Sequence, residues 1–312
     1  MRIGIDIFGG DYAPEATVLG SILAAQKIPP DAQIVLIGDE KIITSICTRE
    51  GFDINRFEIV HTPEFIGMGD FPARAFAQKP LSSIVLGFKM LAQGKIDGFA
   101  SAGNTGAMMV GATQVIKAVP GVIRPCITAS MPRPGEHPML ILDVGLNPDC
   151  RPDVLHQYAI LGNIYARHVL HISEPRIGLL NIGSEEEKGN LLTKASFQLM
   201  KDTKDFFFAG NVEGNDLFSD KADVIICDGF VGNVIIKEAE AFYTMIRKRN
   251  IHDEFFDKFN FENYGGTPVL GINAPVVIAH GISNEIAIEN MILHTVDVVR
   301  GKICEKIKEA FT

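Results

Sequence analysis

Five apolar runs in this 312-residue chain stop on small polar residues, and that recurrence constrains the fold more than any other feature. Ile3-Gly4-Ile5-Asp6-Ile7 runs into Phe8-Gly9-Gly10-Asp11, and Phe99-Ala100 into Ser101-Ala102-Gly103-Asn104-Thr105-Gly106. Ile177-Gly178-Leu179-Leu180 ends in Asn181-Ile182-Gly183-Ser184-Glu185, and Val224-Ile225-Ile226-Cys227 in Asp228-Gly229-Phe230-Val231-Gly232-Asn233. The fifth run, Val276-Val277-Ile278-Ala279, ends in His280-Gly281. Short strands apolar on both faces, alternating with amphipathic stretches, predict an α/β fold: a mostly parallel sheet with helices on both faces. Ligands of such folds bind beyond the carboxyl ends of the strands. One such end alone is an ordinary turn. Five of this composition point to a shared anion-binding cleft, with glycines admitting close backbone approach and helix N-termini presenting unpaired N–H groups.

The remaining elements follow from periodicity and punctuation. Strands are predicted at Gln33 to Ile37, Phe57 to Val60, Ile127 to Met131, Met139 to Val144 and Phe206 to Ala209. Helices are predicted after Pro14, over Leu81 to Leu91, over Pro152 to Leu170, from near Gly189 and from about Val234. A final helix is expected to bury Ile286, Met291, Leu293 and Val296. Residues 67 to 79 lack periodicity and carry Arg74 and Lys79, which reads as a loop with cationic groups. There is no solenoid repeat and no low-complexity linker.

Composition narrows the function. A formal charge of −9 argues against nucleic acid as a partner, which wants a basic face. No apolar run is long enough to span a bilayer, and Met1-Arg2-Ile3-Gly4-Ile5 begins a strand rather than a signal peptide. Five cysteines without a CxxC pair suit reduced thiols in a cytoplasmic protein.

The motifs of several other chemistries are absent: GxGxxG after the first strand, GxxxxGK[ST] and GxSxG. His168 and His171 are not at the spacing of a helical zinc pair, so neither metal nor cofactor is expected. Cys227 reads either as a nucleophile or as a buried strand cysteine. Lys188, after three glutamates, is either a solvated lysine or a site cation; His280 can position an anion, protonate a leaving thiol or cap a turn.

Taken with Leu142-Asp143-Val144-Gly145 and Tyr264-Gly265-Gly266-Thr267-Pro268-Val269-Leu270-Gly271, these strand ends closely resemble the phosphate acyltransferase family along nearly the whole chain. The resemblance implies an isocitrate dehydrogenase-like, phosphotransacetylase-like fold of two lobes around a cleft, and a homodimer. It implies transfer of a fatty acyl chain from acyl carrier protein to inorganic phosphate, giving acyl phosphate for phospholipid synthesis. Lys188, Asn233 and His280 are then the catalytic candidates. Phosphate and substrate would be held by Gly9, Gly10, Asp11, Ser101, Gly103, Asn104, Thr105, Gly106, Asn181, Gly183, Ser184, Glu185, Asp228, Gly229 and Gly232. Residues 1–312 form a single such domain in this reading, with a helical tip at about 234–263 shorter than is usual. A phosphotransacylase using acyl-CoA, or a non-catalytic protein binding phosphate or acyl groups, are the alternatives.

An acidic carrier protein needs a basic patch on an acidic chain. The helix from about Val234 carries an apolar stripe of Ile235, Ala239, Phe242 and Ile246 and ends in Arg247-Lys248-Arg249, the expected docking site. Phe255, Phe256, Phe259 and Phe261 suit a small core, a dimer contact or a peripheral membrane contact, and the shortness of the tip favours the first two.

Overall fold

The computed structural model describes residues 1–135 and 137–311, with Phe261 described in its backbone only; the aromatic side chain expected there lies outside the described residues. In chain order the first elements are β1 (Arg2–Asp6), α1 (Glu15–Ala24), β2 (Gln33–Gly38), α2 (Glu40–Arg49), β3 (Phe57–His61), α3 (Pro72–Gln78), α4 (Ser83–Ala92), β4 (Gly98–Ser101) and α5 (Thr105–Val110). A π-helical turn over Gly111–Ile116 continues α5. There follow β5 (Cys126–Met131), β6 (Met139–Leu142), α6 (Pro152–His168), β7 (Arg176–Leu180), α7 (Leu191–Lys201), β8 (Phe207–Val212), β9 (Val224–Ile226), α8 (Gly229–Lys248) and α9 (Glu254–Asp257). The chain closes with β10 (Thr267–Leu270), β11 (Val276–Ile278), α10 (Glu285–Arg300) and α11 (Ile303–Phe311).

These elements form two compact units. The first comprises Met1–Lys117 and Phe261–Arg300, with strands in the order β3-β2-β1-β4-β11-β10. Its pairs are parallel except that of β10 with β11. Ile3 and Ile5 of β1 have no exposed surface, as expected of a central strand covered on both faces. Phe88 of α4 meets Phe99 of β4 edge-on at 5.2 Å, an arrangement that favours the ring quadrupoles, and α1 lies against α10.

The second unit comprises Ala118–Asn260 and the segment from Gly301, with strands in the order β5-β6-β9-β7-β8. The β5–β6 hairpin is antiparallel and the other pairs are parallel. Met131, Met139, Ile141, Val212 and Ile225 make its core, against which Ile235, Ile236 and Ala239 of α8 rest. Asp223, before β9, is clamped by two arginines: Arg133 Nη2 at 2.7 Å and Arg176 Nε at 3.0 Å. Burial works to raise the Asp223 carboxyl, but the two guanidiniums outweigh it and hold its pKa at about 2.

Four expectations are corrected. Residues 72–78 are helical rather than a loop: Pro72 suits a first helical position, and only Ala75 is buried, so no apolar stripe marks the segment. The helix expected from about Val234 begins at Gly229, capped by Asp228. Ile286 is 42% exposed and Leu293 half-buried, while Ile288 and Ile292 fill the core in their place. Thr267–Leu270 is a strand that the residue pattern leaves unmarked.

Candidate active site

In the first unit, the ends of the neighbouring strands β1 and β4 meet at a buried acid. Asp6 has almost no exposed surface, and burial pushes its carboxyl above the usual carboxylate range. The Ser101 hydroxyl donates to it at 2.7 Å and the Phe8 N–H at 3.0 Å. Ser101 Oγ in turn accepts the Gly103 N–H at 2.9 Å, so one carboxylate orders the turn after β4 through a hydroxyl relay. Gly9 lies directly on that turn: a Cβ there would come within 2.7 Å of Gly103 N, so a side chain is excluded. The Asp11 N–H donates to the Gly281 carbonyl at 2.6 Å, which brings Gly10 and Asp11 alongside the residues after His280. His280 is half-buried, and its carbonyl accepts from Ser283 N and Oγ at 3.0 and 2.6 Å.

Asn104 is committed locally. Its Oδ1 caps α5 by accepting the Ala107 N–H at 3.0 Å. Its Nδ2 donates to the carbonyls of Gly67, Met68 and Asp70 at 3.1, 3.3 and 3.0 Å. The side chain therefore pins residues 67–70, where Lys79 pairs with Asp70 at 2.6 Å. Thr105 is exposed and Gly106 half-buried in the first turn of α5.

In the second unit two amides shape the turn after β7. Asn181 Nδ2 donates to Asn211 Oδ1 and to the Lys188 carbonyl, both at 3.1 Å, and Asn211 Nδ2 donates to the Glu185 carbonyl at 2.9 Å. The loop 182–188 is thereby tied at two points. The Lys188 stem crosses Gly183, where an added Cβ would lie 2.8 Å from Lys188 Cγ. Among the described residues, Lys188 Nζ makes no hydrogen bond or ion pair, while Glu186 is taken by Lys201 at 2.8 Å and Gln198 at 2.7 Å. Ser184 and Glu185 are exposed beside it.

The segment after β6 meets the start of α8. Asp143 has no exposed surface; burial raises its carboxyl, against donation from the N–H groups of Ile127 at 3.1 Å and Asn147 at 2.6 Å. Asp228 accepts the Val231 N–H at 2.9 Å, and the Gly229 N–H donates to the Asn147 carbonyl at 2.8 Å. Gly232 permits this approach: a Cβ would fall 1.9 Å from the Asp143 carbonyl oxygen. Asn233 Nδ2 donates to the Val144 carbonyl at 3.3 Å. Asp228, Gly229, Gly232 and Asn233 are thus a capped helical start rather than a loop. Cys227 is buried beside them, and desolvation together with the Asp228 and Asp143 carboxylates raises its thiol well above the usual range. Such a thiol is a poor nucleophile.

Three residues were not singled out from the sequence as site candidates: Asp6, Asp143 and Asn211. Each acts by holding others, and buried acids and amides carry no spacing signal. A groove of about 920 Å³ in the second unit was also missed. It runs from Asn181, Gly189 and Asp228 past Leu179 and Ile235 to Phe242 and Phe256. Its aromatic end is built by Phe255, Phe256 and Phe259, with ring centroids 5.7 Å apart for Phe255 and Phe259 and Phe218 5.6 Å from Phe259. The apolar stripe on α8 was the available signal.

Of the three basic residues at the end of α8, Arg247 is engaged, by Asp257 at 3.2 Å and His252 at 3.0 Å. Lys248 and Arg249 are exposed. Among the described residues no helix is long and apolar enough to cross a membrane.

A family model described as "Fatty acid synthesis protein" matches residues 1–306. The chain is 39% identical to "Phosphate acyltransferase" of Dictyoglomus thermophilum, across all of this chain and 98% of that protein. It is 40% identical to the protein of the same name from Brevibacillus brevis, across 99% of this chain and 97% of that one. Its fold is similar to a phosphotransacetylase from Streptococcus pyogenes, with a TM-score of 0.66 at 16% identity over 98% of this chain and 94% of that one. The EutD phosphotransacetylase from Staphylococcus aureus gives 0.65 at 16% identity, over 96% and 94%. With the matched family model, full-length relatives and phosphotransacetylase-like α/β fold together, this chain belongs to the phosphate acyltransferase family and is an acyltransferase.

Proposed function

We propose that the protein transfers a fatty acyl group from acyl carrier protein to inorganic phosphate, releasing acyl phosphate and the carrier thiol. The observation that carries this reading is the pairing, in one unit, of an unpaired lysine on a glycine turn with an apolar groove and a suppressed thiol. Phosphate is already an anionic nucleophile near neutral pH, so attack on a thioester carbonyl needs no enzyme nucleophile. Holding the two reactants in attack geometry contributes on the order of 7–11 kcal/mol. Each preorganised donor aimed at the oxyanion of the tetrahedral intermediate adds roughly 3–4 kcal/mol.

In this reading Lys188 and Asn233 are the donors of the second unit. Asn181, Gly183, Ser184, Glu185, Asp228, Gly229 and Gly232 form the turns that position them. In the first unit, Asp6 and Ser101 hold the turns of Gly9, Gly10, Asp11 and Gly103 open to an anion, and His280 positions phosphate or protonates the departing thiol. Asn104 serves by fixing residues 67–70. Exposed Lys248 and Arg249 suit the docking of an acidic carrier protein. Residues 1–312 work as one acyltransferase domain, acting as a homodimer in the cytoplasm, with the tip at about 234–263 serving carrier docking and subunit contact rather than membrane attachment.

The test is thioester cleavage by purified protein with palmitoyl-carrier protein or palmitoyl-CoA, each with and without phosphate. Phosphate-dependent cleavage with a higher kcat/KM for the carrier protein supports the reading. A preference for palmitoyl-CoA assigns the acyl-CoA alternative, and saturable binding without cleavage assigns a binding protein.

A further inference from the structure

We infer that the groove of the second unit is the binding site for the hydrocarbon chain of the acyl donor, with the carbonyl end at Asn181 and the chain end at the phenylalanines after α8. This rests on the acyl-transfer reading above.

Asn181 lines the groove and also donates to the Lys188 carbonyl at 3.1 Å, so one end of it is the turn that carries the unpaired lysine. Asp228 and Gly189 share that rim, and Cys227, whose thiol is suppressed, faces the same space. A thioester carbonyl at this rim has its chain directed along Leu179, Ile235 and Ala239 towards Phe242 and Phe256.

Among the described residues the lining contains no lysine, arginine or histidine, and its only carboxylates are Asp228 and Glu238. Nothing there neutralises a phosphate, so the groove excludes the phosphate-bearing parts of a carrier arm or coenzyme and suits methylenes alone. A volume of about 920 Å³ is ample for a long chain. Phe242, 48% exposed, and Phe218, 41% exposed, leave the far wall partly open, so longer chains extend without a hard stop.

Each buried methylene contributes about fourfold in affinity. Ala239 lines the middle of the groove, and Ala239→Trp fills it. Titration of the full-length protein with cis-parinaric acid, a fluorescent long-chain fatty acid, reads the site without turnover. The wild type is expected to bind it saturably, and Ala239→Trp to weaken binding by more than about tenfold, the loss of two or three methylenes. In the cleavage assay the same variant is expected to lose palmitoyl far more than butyryl turnover. Phe242→Ala, at a half-exposed position that leaves the core intact, is expected to weaken binding about threefold or more and stands in if the tryptophan variant does not fold.

Parinarate affinity unchanged in both variants overturns the proposal, as does equal loss of palmitoyl and butyryl turnover. A shift of Ala239→Trp from dimer to monomer in sedimentation, with fatty-acid affinity unchanged, makes the groove a contact between copies and also overturns it. Fatty-acid binding that Ala239→Trp blocks, in a protein with no phosphate-dependent cleavage, supports the groove while refuting acyl transfer to phosphate.

Discussion

The side-chain amide of Asn181 donates to the Lys188 carbonyl at 3.1 Å, fixing the backbone of the lysine in its glutamate-rich turn, whose cation has no carboxylate partner among the described residues. If Lys188 stabilises the transition state, Lys188→Ala lowers kcat about a hundredfold or more with little change in KM. Asn233→Ala is expected to behave alike. A variant that folds normally and keeps near-native kcat removes that residue from the catalytic account.

Ser101 stands between Asp6 and Gly103, its hydroxyl donating to the Asp6 carboxyl and accepting from the Gly103 N–H. Ser101→Ala leaves a buried N–H and a buried carboxyl each short of a partner, which costs about 1–3 kcal/mol. Urea unfolding measures it. An unchanged midpoint means that the relay is not what holds this turn.

These features differ in how far the residues announced them. The strand ends were legible because a fully covered parallel strand must be apolar on both faces and its turn must be small: Ile3 to Asp6 and Ile177 to Leu180 satisfy both. Pro72–Gln78 buries only Ala75, so its helix leaves no stripe to read. Gly229 and Gly232 read as a loop because glycine is rare in helices; here the contact of Gly232 with the Asp143 carbonyl requires it. The groove needs Leu179, Ile235 and Phe256, which are far apart in sequence, to share one wall, and no local pattern encodes that. The turn that holds Asn104 was legible, but not the three bonds its side chain makes to residues 67–70.

Asp223 makes acid stability predictable in sign. Its folded pKa, about 2, lies below the ordinary 3.8, so its contribution is full above about pH 4 and is lost as the pH falls through about 2. The shift corresponds to about 2 kcal/mol. In urea unfolding, the gap between wild type and Asp223→Asn is expected to close between about pH 4 and about pH 2. A gap that is constant over that range assigns the clamp no pH dependence.

Arg247 is paired within the tip, whereas Lys248 and Arg249 are exposed. Reversing Lys248 and Arg249 to Glu is expected to raise KM for the carrier protein about tenfold or more and to leave KM for phosphate unchanged. The wild-type carrier KM is expected to rise with salt, as exposed charges are screened. An unaltered carrier KM moves docking to Arg74, which bonds only Gln78 among the described residues.

Direct transfer to phosphate, without an acyl-enzyme, is the centre of the account, and a single-turnover quench tests it most directly. Enzyme in excess is mixed with palmitoyl-carrier protein, with or without phosphate, and both the thioester and the intact protein mass are followed. An intact thioester and an unmodified enzyme are expected until phosphate is added, then one acyl phosphate per thioester consumed. Thioester loss without phosphate, with a stoichiometric palmitoyl adduct on Cys227 or a serine, would contradict it.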